Sequence, residues 1–356
     1  MVGRFCLLLI LCASPGYAGL TFNISSTGNA AADAGFQTAA DFWSNVFVDN
    51  ITVNVNAGFS SLAPGVLGQA GSARQTFTYA AISAAVNSDA TSADDSIFAA
   101  NLPTGSSFSV YTNETNEAGG ASNETPYVDN DGGANNTQVR ITTANAKALG
   151  LTAANATASD TTITFNSDFN FDFDQTDGIT AGAFDFVGIA IHEIGHALGF
   201  VSGVDSLDAN DDGAFADDAF RVSLLDLTRF SPDSIAAGAD IDFTADNRAK
   251  FYSLDGGVTA GGGLVGGLDH FSRGVVNGDG RQASHWRDGL GLGILDPTAA
   301  PPGQLNVVTA LDIQAFDILG FDLRTSAVPE PSAFSMLLVG LFGCGGYRRR
   351  RRNPAA

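Results

Sequence analysis

Residues 192–196 (HEIGH) combine the side chains that bind a metal ion and use it for chemistry. Histidines four positions apart project from the same face of a helix, so the imidazoles of His192 and His196 can reach one ion. Glu193 lies beside them and can take a proton from a water that the ion activates. The neighbouring residues within 190–198 are apolar, which is typical of a buried helix. The pattern predicts a zinc site with two histidine ligands and a glutamate base.

A catalytic zinc needs a third protein ligand and a position left open for water. The only glutamate downstream of the motif is Glu330, near the C-terminus, which nearly excludes a second glutamate ligand. The compact pattern H-E-x-x-H-x-x-G-x-x-H is half met, because Gly199 is present but Ser202 stands at the last position. The chain has four histidines. The residues alone therefore leave His270 and His285 as candidates for the third ligand.

A second metal signal lies just after the motif. Asp208, Asn210 and Asp212 match the first half of a calcium loop, D-x-N-x-D-G, but Ala219 occupies the twelfth position, where a bidentate glutamate is expected. Residues 129–131 are a fainter version of the same pattern. The motif predicts a Ca²⁺ site at 208–212, and the alternative is a solvated acidic turn.

The elements that must position these residues follow from hydrophobic periodicity. A helix is predicted over 185–200, capped by Asp185 and ended by Gly199. The other predicted helices cover 32–46, 75–87 and 309–319, and the predicted strands cover 51–56, 108–111, 138–142 and 161–173. Residues 203–300 are rich in Gly and Asp and have few periodic segments. The prediction is an α+β fold with a mixed-sheet amino subdomain, the active-site helix and a loop-rich carboxyl subdomain.

The charge balance excludes some partners. Outside the terminal segments the chain has 11 basic and 37 acidic residues, a net charge near −26. Such a surface repels nucleic acid and anionic lipid and attracts divalent cations; solubility or adaptation to salt is the alternative reason for it. The three cysteines are Cys6, Cys12 and Cys344, so the central part has no disulfide available.

Both ends of the chain have the composition of targeting segments. Residues 1–18 combine Arg4, an apolar core and a cleavage-site region of small residues, which predicts a signal peptide cleaved after Ala18. Residues 328–352 contain a Val-Pro-Glu-Pro motif, an apolar segment and five consecutive arginines. This tail resembles the PEP-CTERM sorting signal of Gram-negative bacteria; a plain membrane anchor is the alternative. The resemblance implies an exosortase-type sorting enzyme as partner, with membrane contact only through the tail.

The central region resembles leishmanolysin-type metzincins. The shared features are the segment 192–200 (HEIGHALGF), a long insertion, a Ser-His-Trp sequence at 284–286, a turn at 294–297 and a last helix followed by Leu-Gly-Phe at 319–321. The resemblance implies a metzincin-like zincin fold over 19–325, with a carboxyl subdomain from about 201. It also implies that His285 is the third zinc ligand. Leu295 stands where that family has a methionine in the turn, a volume-conserving change.

These observations predict an exported zinc-dependent endopeptidase. It would hydrolyse a protein or peptide substrate at the cell surface or in the extracellular matrix of a Gram-negative bacterium. The alternative is a catalytically silent surface or matrix-binding protein that keeps the zincin fold. Glu193 favours the enzyme, because a structural zinc needs no base beside its ligands.

Overall fold

The fold places short strands and helices around one hydrophobic core. The computed structural model of the protein describes residues 19–115, 125–210 and 215–324. The described helices are α1 (Ala30–Val46), α2 (Tyr79–Asp89), α3 (Ala93–Asn101), α4 (Ala134–Thr137), α5 (Thr143–Ala148), α6 (Phe186–Leu198), α7 (Val204–Asp208), α8 (Pro232–Ala237) and α9 (Ala310–Ile318). The described strands are β1 (Thr21–Ile24), β2 (Thr52–Ser60), β3 (Gly68–Ser72), β4 (Arg74–Thr78), β5 (Val110–Thr112), β6 (Tyr127–Asp129), β7 (Gln138–Thr142), β8 (Thr161–Asn166), β9 (Phe171–Asp172), β10 (Phe184–Asp185), β11 (Arg229–Phe230), β12 (Ile241–Phe243) and β13 (Phe251–Tyr252).

A four-stranded sheet with the order β1-β2-β8-β3 frames the amino-terminal half. The first three strands are parallel, and β3 pairs antiparallel with β8 at one edge. Val53, Val55, Ile163 and Phe165 are buried at alternating positions, as the period of a strand requires. The single strand predicted over 161–173 is wrong. Strand β8 ends at Asn166, whose side chain accepts the N–H of residue 168 and turns the chain, and β9 pairs separately with β10.

Helix α1 confirms the prediction for 32–46 and packs on the motif helix. Its buried face includes Phe36 and Trp43. The Phe36 ring meets Phe186 of α6 edge-on, with centroids 5.2 Å apart, and the indole N–H of Trp43 donates to the carbonyl of Ile191 at 3.2 Å. A Cβ at Gly35 would lie 2.7 Å from the Phe186 ring, so the two helices are in close contact.

The helix predicted over 75–87 begins later in the structure. Residues 74–78 form β4, which pairs antiparallel with β7, and α2 starts at Tyr79 with Thr78 as its cap. The segment Gln75–Thr78 contains two threonines and a phenylalanine, which favour a strand when a partner strand is present. Pairing with a distant segment overrides the helical spacing, so only the second part of the prediction is confirmed. Strand β7 matches its predicted bounds.

The carboxyl half has few regular elements, as predicted. Between α6 and α9 the described helices and strands have at most six residues each, and α9 begins after a Thr309 cap. The whole is a mixed α+β fold with open sheets. No helix among the described residues has the length and apolarity to cross a membrane. The predicted signal peptide (1–18) and sorting tail (328–352) lie outside the described residues.

Candidate metal centre

Helix α6 carries the motif and is fixed at both ends. Asp185 caps its start by accepting the N–H of Gly188 at 2.9 Å, and a loop amide at Asn306 donates to the same carboxylate. Gly199 ends it with φ of 129°, a conformation that favours glycine. This turn brings the carbonyl of Phe200 back to His196, 2.7 Å from Nδ1. The predicted cap and stop residues are both confirmed.

Three histidine rings converge on the side of this helix that lines a cleft. The Nε2 atom of His196 lies 3.0 Å from Nε2 of His192 and 3.1 Å from Nε2 of His285. They are the one group of three histidine, cysteine or acidic side chains in the described part of the chain whose ligand atoms lie within 4.8 Å of one another. Tetrahedral ligands at the usual zinc–nitrogen distance are about 3.3 Å apart, so this spacing suits a small cation.

The outer nitrogens of the rings fix which nitrogen is free to bind a metal. Nδ1 of His192 lies 2.7 Å from the carbonyl oxygen of Ile294, Nδ1 of His196 faces Phe200, and Nδ1 of His285 lies 3.3 Å from the carbonyl of Gln282. A carbonyl only accepts, so Nδ1 carries the proton and Nε2 keeps its lone pair. Three lone pairs that point at one another repel unless a cation lies between them. The donor set therefore fits a bound metal ion.

Burial keeps these rings neutral. It lowers the pKa of His192, and it lowers the pKa of His196 to about 3, with the nearby His192 charge as a smaller cause. Burial also places the pKa of His285 well below its ordinary value. Neutral imidazole is the form that binds a metal, so the surroundings select the ligating state at neutral pH.

Glu193 lies beside the three rings, against the edge strand. It is 5% exposed, and burial raises the pKa of its carboxyl to about 8. A Cβ placed on Gly68 of β3 would lie 2.9 Å from its Oε1. The backbone of β3 therefore runs directly past the carboxylate, and a side chain at position 68 would displace it.

A buried acid that sequence reasoning missed holds the loop with the third histidine. Asp205 accepts the hydroxyl of Ser284 and the N–H of Ala283, at 2.6 Å for the latter, immediately before His285. The Ser284 hydroxyl in turn accepts the N–H of Ser202 at 2.8 Å. These contacts join the loop before His285 to the residues that follow α6. They therefore hold His285 at a fixed distance from the two motif histidines.

Asp312 of α9 fixes the turn behind the histidines. Its carboxylate accepts the indole N–H of Trp286 at 2.8 Å and the backbone N–H groups of Ile294 and Leu295 at 2.8 and 3.4 Å. Ile294 is the residue whose carbonyl orients His192. The sequence signal was the capping pair Thr309 and Asp312 at the start of α9, which indicates a helix start but not contact with the turn.

Leu295 occupies the position that the family resemblance assigns to a methionine. It is fully buried, and both its methyl groups lie 3.4 Å from where a Cβ on Gly195 would be. Its carbonyl accepts the N–H of Trp286. The leucine therefore packs under the middle of the motif.

The other candidate ligands lie elsewhere. Nδ1 of His270 accepts the N–H of Tyr252 at 3.3 Å, and its Nε2 lies 3.2 Å from the carbonyl of Gly266, so both ring nitrogens have partners outside the histidine group. Ser202 donates its hydroxyl to Asp226 at 2.5 Å. Of the alternatives left by the sequence, the structure brings His285 to the motif.

The described part of the predicted calcium segment is occupied by protein donors. The carboxylate of Asp208 accepts the N–H groups of Val275 and Asn277 at 2.6 and 2.8 Å. The side-chain oxygen of Asn210 accepts the N–H of Phe215 at 3.0 Å. Asp212 lies outside the described residues, so calcium binding at 208–212 stays a prediction.

The histidines and Glu193 lie on the floor of a cleft of about 1190 Å³. One wall is residues 65–72, which include β3, and the other walls are formed by most of the residues in 280–285, 291–300 and 305–309. No protein-family model, curated protein or solved structure matches the chain. The functional assignment therefore depends on the geometry of this site.

Proposed function

We propose that the protein is a zinc-dependent endopeptidase with a metzincin-like zincin fold. The observation that supports it best is the convergence of His192, His196 and His285 at the bottom of an open cleft, with a buried glutamate beside them. Three neutral imidazoles suit zinc, and three protein ligands leave a position for water. A fourth protein ligand would favour a structural zinc; in the described residues no cysteine or acid joins the histidine group.

The zinc ion would supply Lewis acidity toward the scissile carbonyl and would lower the pKa of a water molecule. Glu193 would accept the proton of the attacking water at its carboxylate and pass it to the leaving amine. A zinc ion next to it would oppose the effect of burial on its pKa, because a nearby positive charge favours the ionised carboxylate, which is the form that accepts a proton.

The edge strand supports a peptide as substrate. Strand β3 pairs with β8 on one side, and its residues line the cleft on the other. A strand with unpaired N–H and C=O groups can bind an extended chain by adding it to the sheet. A substrate lying along β3 would pass next to Gly68, where the backbone meets Glu193.

Export and surface retention are part of the proposal. They rest on the composition of residues 1–18 and 328–352. Fractionation of cells that produce the full chain and a chain lacking 328–352 tests the sorting role. Release of the truncated chain to the medium, with the full chain retained, is the expected result.

The decisive experiment measures zinc content and casein hydrolysis together for the full chain, Glu193→Gln, His285→Ala and His270→Ala. We expect one zinc and hydrolysis in the full chain and the His270 variant, and zinc loss in His285→Ala. Glu193→Gln should keep zinc and lose on the order of 10²–10⁴-fold in rate. If the full chain binds zinc but hydrolyses casein no faster than Glu193→Gln does, the silent surface-binding alternative replaces the enzyme.

A further inference from the structure

Three buried oxygen atoms without a hydrogen-bond partner lie where α9 meets α3 and the chain segment 252–262. They are Oδ1 of Asp317, Oε1 of Gln314 and the hydroxyl of Tyr252. Their residues are 1%, 5% and 0% exposed. An isolated buried polar atom without a partner is costly, and three at one junction indicate a missing ligand.

The contacts around these atoms place their residues at one junction. Gln314 donates its amide N–H groups to Asp94 and to the carbonyl of Gly262, both at 3.0 Å. These bonds fix the orientation of the amide and leave Oε1 without a hydrogen-bond donor. A Cβ on Gly262 would overlap that oxygen and would lie 2.9 Å from the ring of Tyr252. Asp317 is one helical turn from Gln314 on the same face. Its other oxygen accepts the hydroxyl of Ser92 at 2.6 Å, at the start of α3.

The junction contains acidic side chains without a salt-bridge partner. Asp94, Asp95 and Asp317 lie at it, and none of them takes part in a salt bridge within the described residues. Burial raises the pKa of the Tyr252 hydroxyl, and the charges of Asp94, Asp317 and Asp95 raise it further. Burial, opposed by the Ser92 hydrogen bond, likewise raises the pKa of Asp317 to about 7.

We infer that this junction is a second metal site, which binds a calcium ion through Asp317 Oδ1 and Gln314 Oε1. A buried water could satisfy the unpartnered atoms, but it would leave the carboxylate charges without a counter-ion. Calcium takes carboxylate, amide and water oxygens in irregular geometry. The carboxylates of Asp94 and Asp95 balance its charge, and the partly exposed Asp94 provides the entry from solvent.

Calcium at this junction would tie α9 to α3 and to the carboxyl half. Helix α9 also carries Asp312, which holds the turn behind His192. The ion would therefore stabilise the helix on which the histidine site depends, at a place outside the cleft. Calcium binding at this junction does not depend on whether the histidine site hydrolyses a substrate.

The test is the melting temperature of the full chain, freed of calcium on a chelating resin and then supplied with one equivalent of zinc. Calcium chloride at 10 mM is compared with sodium chloride at equal ionic strength. For a dissociation constant near 0.1 mM we expect a rise of about 5 °C. Asp317→Asn and Gln314→Leu should lose this rise. Gln314→Glu adds a carboxylate ligand, so it should melt lower than the wild type without calcium and gain more from it.

Asp131→Asn is the matched control, because residues 129–131 form a separate acidic turn that calcium could also reach. It should keep the full rise. No rise in the wild type would mean a buried water only and would overturn the proposal. An equal rise in the wild type, Asp317→Asn and Gln314→Glu would also overturn it, because calcium would then bind elsewhere.

Discussion

Replacing Asp312 by asparagine tests whether the turn behind the histidines depends on α9. One carboxylate oxygen accepts from Trp286 and Leu295, and the other accepts from Ile294 and from the N–H and hydroxyl of Thr309. An amide nitrogen cannot accept, so either orientation of the asparagine loses at least two of these bonds and sets N–H groups against N–H groups.

The expected cost follows from these bonds. Hydrogen bonds to a charged group contribute about 1.5–3 kcal/mol each, so the loss of two is about 3 kcal/mol or more. Removing a buried charge offsets part of this, because burial raises the pKa of Asp312 and so disfavours its ionised form. We therefore expect a loss near 3 kcal/mol in the free energy of unfolding and, since Ile294 orients His192, zinc binding weaker by about 10–100-fold.

Urea denaturation of the zinc-loaded protein measures the first quantity, and competition with a zinc chelator measures the second. Asp233→Asn is the matched control, because that carboxylate is 55% exposed in a surface salt bridge with Arg248 and should cost less than about 1 kcal/mol. If Asp312→Asn loses stability but binds zinc as tightly as the wild type, Asp312 only caps its helix. If it loses neither, the hydrogen-bond reasoning fails.

Substitutions at three further positions probe the packing and charge of the domain. Leu295→Met should cost less than about 1.5 kcal/mol and keep zinc, whereas Leu295→Ala should cost about 2–5 kcal/mol in chemical denaturation; equal effects would mean that the position is not packed as described. Gly199→Ala should lose about 1–3 kcal/mol and weaken zinc binding, because φ of 129° disfavours a side chain and the Phe200 carbonyl would move; unchanged zinc affinity would contradict this. Burial raises the pKa of Asp49 to about 7 in the folded state, so the folded protein binds more protons there and stability falls as the pH rises from about 4 to 7. Asp49→Asn should therefore raise the melting temperature relative to wild type more at pH 8 than at pH 5, and a difference that does not change with pH would refute the assignment.

The motif helix was predictable because all its signals are local. Apolar spacing, the Asp185 cap and the Gly199 stop lie within fifteen residues and agree with one another. The lack of a suitable downstream glutamate and the serine at position 202 leave His270 and His285 as candidates for the third ligand. Only the fold could show which of them reaches the motif. The separation of 89 residues between His196 and His285 has no local signal.

The parts that sequence reasoning missed depend on long-range pairing or buried charge. Strand β4 forms because β7 lies beside it, and no property of 74–78 alone requires that. Asp205 and Asp312 are single acids among many in an acidic chain, and only their contacts with the His285 loop and the 294–295 turn distinguish them. The junction at Gln314 and Asp317 has no motif, because its oxygens come from separate segments.

The dependence of the turn on α9 has a consequence for the order of assembly. During synthesis His192 and His196 leave the ribosome well before His285, and Asp312 follows Trp286 by another 26 residues. A chain that ends before α9 would have the ligands but lack the side chain that holds Ile294, and through it His192, in place. Full metal affinity of the histidine site would thus be acquired only when the domain is nearly complete.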